Sequence, residues 1–190
     1  IKENKIWLGQ SIHSGDREFR VPESYPLNSA GNRIDENGNK FIRVKGVRWF
    51  TNLDYKERHD DLILYKTYKG HENEYPKYDN YDAINVDVTK DIPMDYKGVM
   101  GVPITFLDKY NPDQFEIVGL GNSRDNFTPN KEYINPYKVM QDGTKKNGNA
   151  INCVLAIESK VKPDEIYYIS DNSKYLIAPY ARIIIKNKKI

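Results

Sequence analysis

The stretch Lys40–Leu53, K-F-I-R-V-K-G-V-R-W-F-T-N-L, is rich in β-branched and aromatic residues, which predicts a β-strand. Four apolar residues alternate along it, two before Gly46 and two after it: Ile42, Val44, Val47 and Trp49. The alternation changes phase at the glycine, and one extra residue in a bulge would restore it. Glycine tolerates the backbone angles that a bulge requires. We therefore predict a bulge at Gly46, with all four apolar side chains facing the core.

The other face of this predicted strand carries three basic residues and one aromatic residue, namely Arg43, Lys45, Arg48 and Phe50. Basic side chains could neutralise DNA phosphates, and an aromatic ring could stack on a base. The same pattern also fits a half-exposed strand with solubilising charge. Both interpretations stay open from this stretch alone.

Charge is distributed unevenly along the 190-residue chain, although its net charge is only +2. Lys40–Gly70 holds eight basic and four acidic residues, whereas His71–Glu116 holds four and ten. Lys174–Ile190 holds five basic residues and no acidic one. Two basic segments around an acidic one could present a charged face to nucleic acid, or they could be ordinary solvated loops.

Several classes of protein are disfavoured by simple features. The chain opens at Ile1 instead of Met, and Ile1–Gly9 has the form of a helix end followed by a short strand, so we expect a piece of a longer protein. We find no secretory signal and no apolar run that could span a membrane, which predicts a cytoplasmic location. The single Cys153 excludes an internal disulfide and disfavours a metal site. Its apolar neighbours predict a buried, inert thiol.

The pattern predicts a β-rich α+β fold with few short helices. Asn, Asp, Gly and Pro recur at short intervals, and the 15 tyrosines favour strands over helices. Besides the opening stretch, strands are predicted at Lys5–Leu8, Leu62–Tyr68, Ala83–Val88, Phe115–Leu120, Ile151–Ser159, Ile166–Ile169 and the run A-R-I-I-I-K at residues 181–186.

The connections between these strands have their own signals. Asn37-Gly38 predicts a hairpin turn, whereas Ser11–Tyr25, with Gly15 and Pro22, predicts an irregular loop. A capping-box pattern at residues 54–57 and a proline before Ile104–Tyr110 predict two short helices. A polar, tyrosine-rich stretch predicts a linker at residues 71–97, between domains at residues 1–70 and 98–190.

Motifs that could carry chemistry are incomplete. The strand ending in Gly119–Gly121 has the G-x-G of a nucleotide-binding turn, but it lacks the third glycine, the following helix and the acid for a ribose. Asn135-Pro136-Tyr137 lacks the second proline of the N-P-P-Y loop of amino-methyltransferases. The three histidines, His13, His59 and His71, have no ligand spacing.

Four segments nevertheless resemble the carboxy-terminal part of the EcoRI-type adenine-specific DNA methyltransferases. They are K-I-W-L-G at Lys5–Gly9, K-G-V-R-W-F-T-N-L-D at Lys45–Asp54, G-V-M-G-V-P-I-T-F-L-D-K-Y-N-P-D-Q-F-E-I-V-G at Gly98–Gly119, and P-Y-A-R-I-I-I-K at Pro179–Lys186. The resemblance covers nearly the whole chain and is weakest between residues 122 and 174.

The resemblance implies an S-adenosylmethionine-dependent enzyme that methylates the exocyclic amine of adenine in double-stranded DNA, as part of restriction–modification. Such an enzyme must extrude the base from the duplex before it can react. In the family, the N-P-P-F loop and the cofactor segment precede the part that this chain resembles. We therefore expect no catalytic or cofactor-binding residue here, no bound cofactor and no activity of this portion alone.

The resemblance also implies a fold and a division of labour. Residues 1–70 would be the last strands of a Rossmann-like catalytic sheet, with Lys5–Gly9 and Lys45–Leu53 as an antiparallel pair, and residues 98–190 would be a small β-rich domain that contacts DNA. Arg182 and Lys186 at the basic end join the four DNA-contact candidates of the opening stretch. Surface left uncovered by a missing catalytic part could form a homodimer. Alternatives are a self-association module and an unrelated enzyme that uses the tyrosine-rich stretch.

Overall fold

The computed structural model describes residues 1–8, 17–28, 31–44, 50–125, 127–170 and 174–190. The described chain divides into two compact units. Unit 1 consists of Ile1 and Glu3–Glu57, and unit 2 of Lys2 and Arg58–Ile190.

Unit 1 is built from five strands: β1 (Trp7–Leu8), β2 (Arg17–Val21), β3 (Arg33–Ile34), β4 (Lys40–Val44) and β5 (Phe50–Thr51). Strands β2, β4 and β3 form an antiparallel sheet in that order. Strands β1 and β5 form an antiparallel pair in which Trp7 lies opposite Thr51. The pairing predicted between Lys5–Gly9 and Lys45–Leu53 is thus confirmed where the structure describes it.

The opening stretch supplies two strands in two different sheets, because β4 pairs with β2 and β3 whereas β5 pairs with β1. The structure describes both ends of the predicted strand, and its continuity between them stays a prediction. Gly46 and the other residues between 45 and 49 lie outside the described residues, so the bulge stays a prediction.

The loop predicted at Ser11–Tyr25 is also wrong in part, because Arg17–Val21 forms β2. Phe19 and Val21 alternate there with polar residues, a strand pattern that ends at Pro22. The predicted hairpin turn at Asn37-Gly38 is confirmed. Gly38 has a φ of +80°, and its N–H donates to the Asp35 carbonyl at 3.0 Å.

Unit 2 contains nine strands: β6 (Ile84–Asn85), β7 (Val99–Pro103), β8 (Phe115–Leu120), β9 (Tyr137–Val139), β10 (Lys145–Asn147), β11 (Ile157–Ser159), β12 (Tyr167–Ile169), β13 (Tyr175–Ile177) and β14 (Arg182–Asn187). One sheet has the order β6-β7-β14-β8 and the other has the order β10-β9-β12-β13-β11. The predicted strand A-R-I-I-I-K is confirmed as β14, which lies between β7 and β8 and pairs antiparallel with both.

Helical structure in the described residues consists of 3₁₀ turns: Lys56–His59, Glu72–Glu74, Thr89–Asp91, Ile104–Lys109, Ser123–Asp125 and Asn149–Cys153. The helix predicted at Ile104–Tyr110 is thus confirmed as a short 3₁₀ helix. The strand predicted at Leu62–Tyr68 is reduced to an isolated bridge between Lys66 and Pro93. No described element shows a Rossmann-like helix-covered sheet, so that part of the fold stays a prediction.

Unit 2 has an apolar core on both sides of β14. Ile183, Ile184 and Ile185 are all buried, which requires cover on both faces of the strand. Phe106 and Phe115 pack edge to face on one another with ring centroids 5.2 Å apart. The long apolar run predicted this strand correctly because every residue in it meets the core.

The segment predicted as a linker, residues 71–97, lies inside unit 2. Tyr75 and Tyr78 are buried, and β6 pairs in parallel with β7. The Tyr78 ring covers Gly101 so closely that a Cβ there would lie 2.2 Å from the tyrosine oxygen. Polar composition suggested a linker, but the tyrosines bury their rings while their hydroxyls bond inside the fold.

Cys153 is exposed, which corrects the prediction of a buried thiol. The residues around it form a 3₁₀ turn, Asn149–Cys153, before β11 begins at Ile157. Ile151 is fully buried in this turn. The predicted strand Ile151–Ser159 would have placed both side chains on one face, whereas the turn directs Cys153 outward.

Candidate nucleic-acid interface

One face of the β2–β4–β3 sheet carries most of the arginines of unit 1. Residues opposite one another in antiparallel strands share a face, and the register places Glu18 opposite Arg43, Arg20 opposite Phe41, and Arg33 opposite Phe41. We call this set the arginine face: Glu18, Arg20, Arg33, Phe41 and Arg43. Its four charged residues are exposed, and Phe41 is half-buried.

Arg33 is held in place on this face by two neighbours. Its Nη2 donates to Glu18 Oε2 at 2.8 Å, and its guanidinium carbon lies 4.5 Å from the centroid of the Phe41 ring. The hydrogen bond from Arg33 lowers the pKa of Glu18, and the same bond raises the pKa of Arg33. A guanidinium stacked on a ring keeps its outer N–H groups directed at an approaching acceptor.

Arg43 lies opposite Glu18 in the register of β4 and β2. Its side chain passes Gly31, where an added Cβ would lie 3.5 Å from Arg43 Cδ. Gly31 has a φ of +94°, a left-handed conformation that suits glycine. The predicted outward orientation of Arg43, opposite to Ile42 and Val44, agrees with the register of β4.

The opposite face of the same sheet is partly apolar, with Arg17 and Lys40 among its residues, and it is incompletely covered. Ile42 and Val44 share this face with Phe19, as the alternation predicted. The prediction that Val44 faces the core is wrong, because its side chain is exposed. Phe19 is 39% exposed, Val44 is 40% exposed, and Ile34 at the neighbouring strand is 57% exposed. Apolar side chains exposed on a sheet face are typical of a surface that packs against another protein surface.

The other residues predicted for DNA contact in the opening stretch are only partly described. Phe50 lies on β5 and is 58% exposed, as a ring available for stacking must be. Lys45 and Arg48 lie outside the described residues. Their place on the arginine side stays a prediction.

The basic end of the chain is largely paired within unit 2. Lys189 Nζ contacts Asp61 Oδ2 at 2.6 Å, and Lys188 Nζ donates to the Pro112 carbonyl at 2.8 Å. Lys174 binds the Glu158 carboxylate. Lys186 is exposed on β14, and its Cα lies opposite Glu116 on β8. Carboxylates thus offset the charges of Lys189 and Lys174.

Arg182 is 9% exposed and belongs to a polar network on the four-stranded sheet. Its Nε donates to Asn85 Oδ1 at 3.1 Å, and its Nη2 donates to Asp87 Oδ1 at 3.1 Å. Tyr78 donates its hydroxyl to the same Asn85 oxygen at 2.8 Å. Burial raises the pKa of Tyr78, so its phenol stays protonated. The Arg182 guanidinium is engaged inside the fold, and its role as a DNA contact stays a prediction.

Sequence reasoning missed four members of the arginine face: Glu18, Arg20, Arg33 and Phe41. The stretch predicted as a loop contains Glu18 and Arg20, and Phe41 is not one of the alternating apolar residues of the opening stretch. The available signal was the hairpin itself. Once Asn37-Gly38 is a turn, the residues that precede it must return beside β4 and bring Arg33 to its face.

The described residues do not fit S-adenosylmethionine, the methyl donor that the resemblance implies. Gly119–Gly121 ends a strand that pairs antiparallel with β14, and a short 3₁₀ turn follows it. A Cβ on Gly121 would lie 2.5 Å from Leu155 Cδ1, so this glycine makes room for packing. The nearby carboxylate oxygen Asp125 Oδ2 accepts a hydrogen bond from the Leu120 N–H at 2.9 Å. It is therefore already engaged by the backbone, unlike a carboxylate that binds the ribose of a cofactor. Asn135 is exposed before β9.

Neither a metal site nor a membrane span is found in the described part of the chain. No group of three or more potential metal ligands comes together among those residues. His59 pairs instead with Asp113, with Nδ1 and Oδ2 2.6 Å apart. Among the described residues, no helix has the length and apolar character needed to cross a bilayer.

Comparison with known proteins identifies the family. The family model for the adenine-specific methyltransferase EcoRI matches residues 1–188. The chain belongs to the EcoRI-type adenine-specific methyltransferases. No solved structure matches it significantly.

Relatives of this methyltransferase family include type II enzymes of three bacteria. M.EcoRI of Escherichia coli is 60% identical over 118 residues, which cover 62% of the chain and 36% of that protein. M.MgeORF184P of Mycoplasma genitalium is 44% identical over the whole chain and 52% of its own length. M.MpnI of Mycoplasma pneumoniae is 40% identical over 62% of the chain and 37% of its own length. The chain thus spans about half, or less, of these curated relatives.

Proposed function

We propose that this chain is the DNA-contacting portion of a type II enzyme that methylates the exocyclic amine of adenine in double-stranded DNA. The observation that carries the proposal is the arginine face in a chain of this family. Three arginines share one exposed face of a small sheet, and Glu18 is the carboxylate that the register places among them. That arrangement suits a row of phosphates.

The contacts on the arginine face would position the duplex without reading its sequence. Guanidinium groups bind phosphate oxygens in a bidentate manner, and such contacts set register and orientation. Phe50, on the other sheet of unit 1, is a candidate for stacking on an unpaired base. Base specificity would come from other groups.

Chemistry would be supplied outside the residues described here. In the full-length enzyme, S-adenosylmethionine would provide the methyl group, and the N-P-P-F loop would hold the extruded adenine. This portion would then be inactive by itself. Its part in the reaction would be to hold the duplex while the base leaves the stack.

DNA titrations at two salt concentrations test this proposal. We expect the chain to bind a fluorescein-labelled duplex, with an affinity that falls steeply between about 50 and 200 mM salt. Arg20→Ala and Arg43→Ala should each weaken binding to every duplex sequence to a similar degree. Lys90→Ala, an exposed lysine in the acidic segment of unit 2, is the matched control. Equal affinities for all four proteins would refute the proposal.

A second candidate function is self-association, and the exposed apolar face of the β2–β4–β3 sheet favours it. Phe19, Ile34 and Val44 lie there in water in the isolated chain. Sedimentation at high concentration should show a dimer if this face mediates pairing. Ile34→Lys should return the chain to a monomer, because a charge would have to be buried. A monomer at all concentrations would remove this candidate.

A further inference from the structure

One end of the five-stranded sheet holds a cavity of about 550 Å³. Its lining residues lie between positions 138 and 180, and none of them belongs to the arginine face. The antiparallel register of β9, β12 and β13 brings the end of β9, the start of β12 and the end of β13 to the same end of the sheet. Residues lining the cavity come from all of these places, among them Lys138, Gln141, Glu165, Tyr168, Pro179 and Tyr180.

The cavity combines an aromatic and apolar wall with polar groups of several kinds. Tyr168 is 8% exposed, and the ammonium of Lys138 lies 5.8 Å from its ring. Gln141 adds an amide that both donates and accepts, and Glu165 adds an acceptor. The volume lies within the range of about 300–1,000 Å³ that is typical of small-molecule sites.

Tyr180 is the unusual residue of this cavity. It lines the cavity, yet it is 93% exposed. A large ring in water gains nothing for the fold, but it offers a face on which a planar ligand can stack. The proline before it, Pro179, restricts the backbone at that point.

We propose that this cavity binds a single unpaired nucleobase, other than the adenine that the N-P-P-F loop of the full-length enzyme would hold. The base would stack on Tyr180, its polar edge would meet Gln141 and Glu165, and Lys138 would face the adjoining phosphate. Amide and carboxylate groups recognise the amino and ring-nitrogen atoms of bases. A concave site cannot receive a base that remains inside a duplex, so the base must leave the stack. This inference rests on the proposed DNA-binding function.

The test compares an intact duplex with the same duplex carrying one unpaired base as a bulge. We expect the chain to bind the bulged duplex more tightly, and Tyr180→Ala to remove that preference. Stacking of one base on an aromatic ring corresponds to roughly 5- to 150-fold in affinity. Tyr180→Phe, which keeps the ring, should retain the preference. Tyr65→Ala, which removes a tyrosine that is 75% exposed and outside the cavity, is the control.

The affinity for the intact duplex tests the proposed DNA-binding function separately. Tyr180→Ala should leave this affinity unchanged. A preference for the bulge that survives Tyr180→Ala, or no preference at all, overturns the cavity assignment. If the chain binds neither duplex, the proposed function fails, and NMR titration with deoxyadenosine monophosphate decides about the cavity. Shifts at the amides of residues 138–141 and 177–180, absent with deoxyribose 5-phosphate, would support a site for the free nucleotide. No shifts would overturn it.

Discussion

The carboxylate of Glu18 holds the guanidinium of Arg33 on the arginine face, with Nη2 and Oε2 2.8 Å apart. This ion pair neutralises the charge of Arg33, which would otherwise be available to a phosphate. If this face binds DNA as proposed, Glu18 limits its affinity, and it also orients Arg33 over the Phe41 ring.

Glu18→Gln should strengthen DNA binding. Glutamine keeps the shape of the side chain but removes the charge, which frees Arg33 for a phosphate. The slope of log affinity against log salt should then steepen by about 0.9 if one more phosphate is neutralised. Anisotropy titrations at several salt concentrations measure both quantities. An unchanged slope would mean that Arg33 does not reach the DNA.

The triple substitution Arg43→Ala, Lys45→Ala, Arg48→Ala should weaken binding about equally for all duplex sequences. Each lost phosphate contact should lower the salt slope by roughly 0.9. If the three are ordinary surface charges, stability should change by less than about 0.5 kcal/mol and DNA binding should stay unchanged. Parallel titrations and urea unfolding of the variant separate these outcomes.

Calorimetric titration of this chain with S-adenosylmethionine should show no saturable binding at micromolar concentration. The reason is that Gly119–Gly121 ends an antiparallel strand and packs under Leu155, instead of opening toward a cofactor. Saturable heat that disappears in Gly121→Ala would instead place a cofactor at that turn.

Local signals explain what the sequence predicted correctly. Asn37-Gly38 specified its turn because few residues other than glycine adopt the φ of +80° at Gly38. The run I-I-I at residues 183–185 predicted a central strand because all of its side chains are buried. In each case the decisive residues are adjacent in the chain.

Long-range partners explain what the sequence did not predict. Arg182 looks like any basic residue near a strand, and its acceptor Asn85 lies 97 residues away. Arg33 and Glu18 meet only because β2 and β3 both pair with β4. Charge counts along the chain therefore overstated the basic end and missed the arginine face.

Unit 2 should lose stability at acid pH through Asp79. Burial alone would raise the pKa of this carboxyl, but Lys131 Nζ at 2.6 Å and the Tyr133 hydroxyl at 2.8 Å outweigh it and lower the pKa. A lowered pKa contributes stability above the unfolded value of about 3.9, and this contribution is lost as pH falls through the folded value.

Asp79→Asn should therefore destabilise the chain at neutral pH by about 1–3 kcal/mol, and by much less at acid pH. Urea unfolding at both pH values measures the difference. Asp164→Asn, at an exposed aspartate outside this cluster, is the control and should behave like the native protein. The same loss for Asp79→Asn at both pH values would show that its charge is not what stabilises unit 2.

Arg182 and Lys186 lie on the same strand, β14, but Arg182 is buried and Lys186 is exposed. Arg182→Met keeps the length of the side chain but leaves Asn85 and Asp87 without its hydrogen bonds. We expect a loss of about 1–3 kcal/mol in the free energy of unfolding, limited by the solvent access of Asp87, whose side chain is 75% exposed. Lys186→Met, at an exposed position, should change it by less than about 0.5 kcal/mol.

DNA binding of the same two variants separates a structural role from a contact. If Arg182 only supports the fold, the folded Arg182→Met variant should keep the affinity and salt slope of the native chain at a temperature where it is fully folded. Lys186→Met should lower the slope by about 0.9 if Lys186 meets a phosphate, without loss of stability. A stable Arg182→Met variant with a reduced salt slope would contradict the assignment. It would show that the guanidinium leaves Asn85 and Asp87 when DNA is bound.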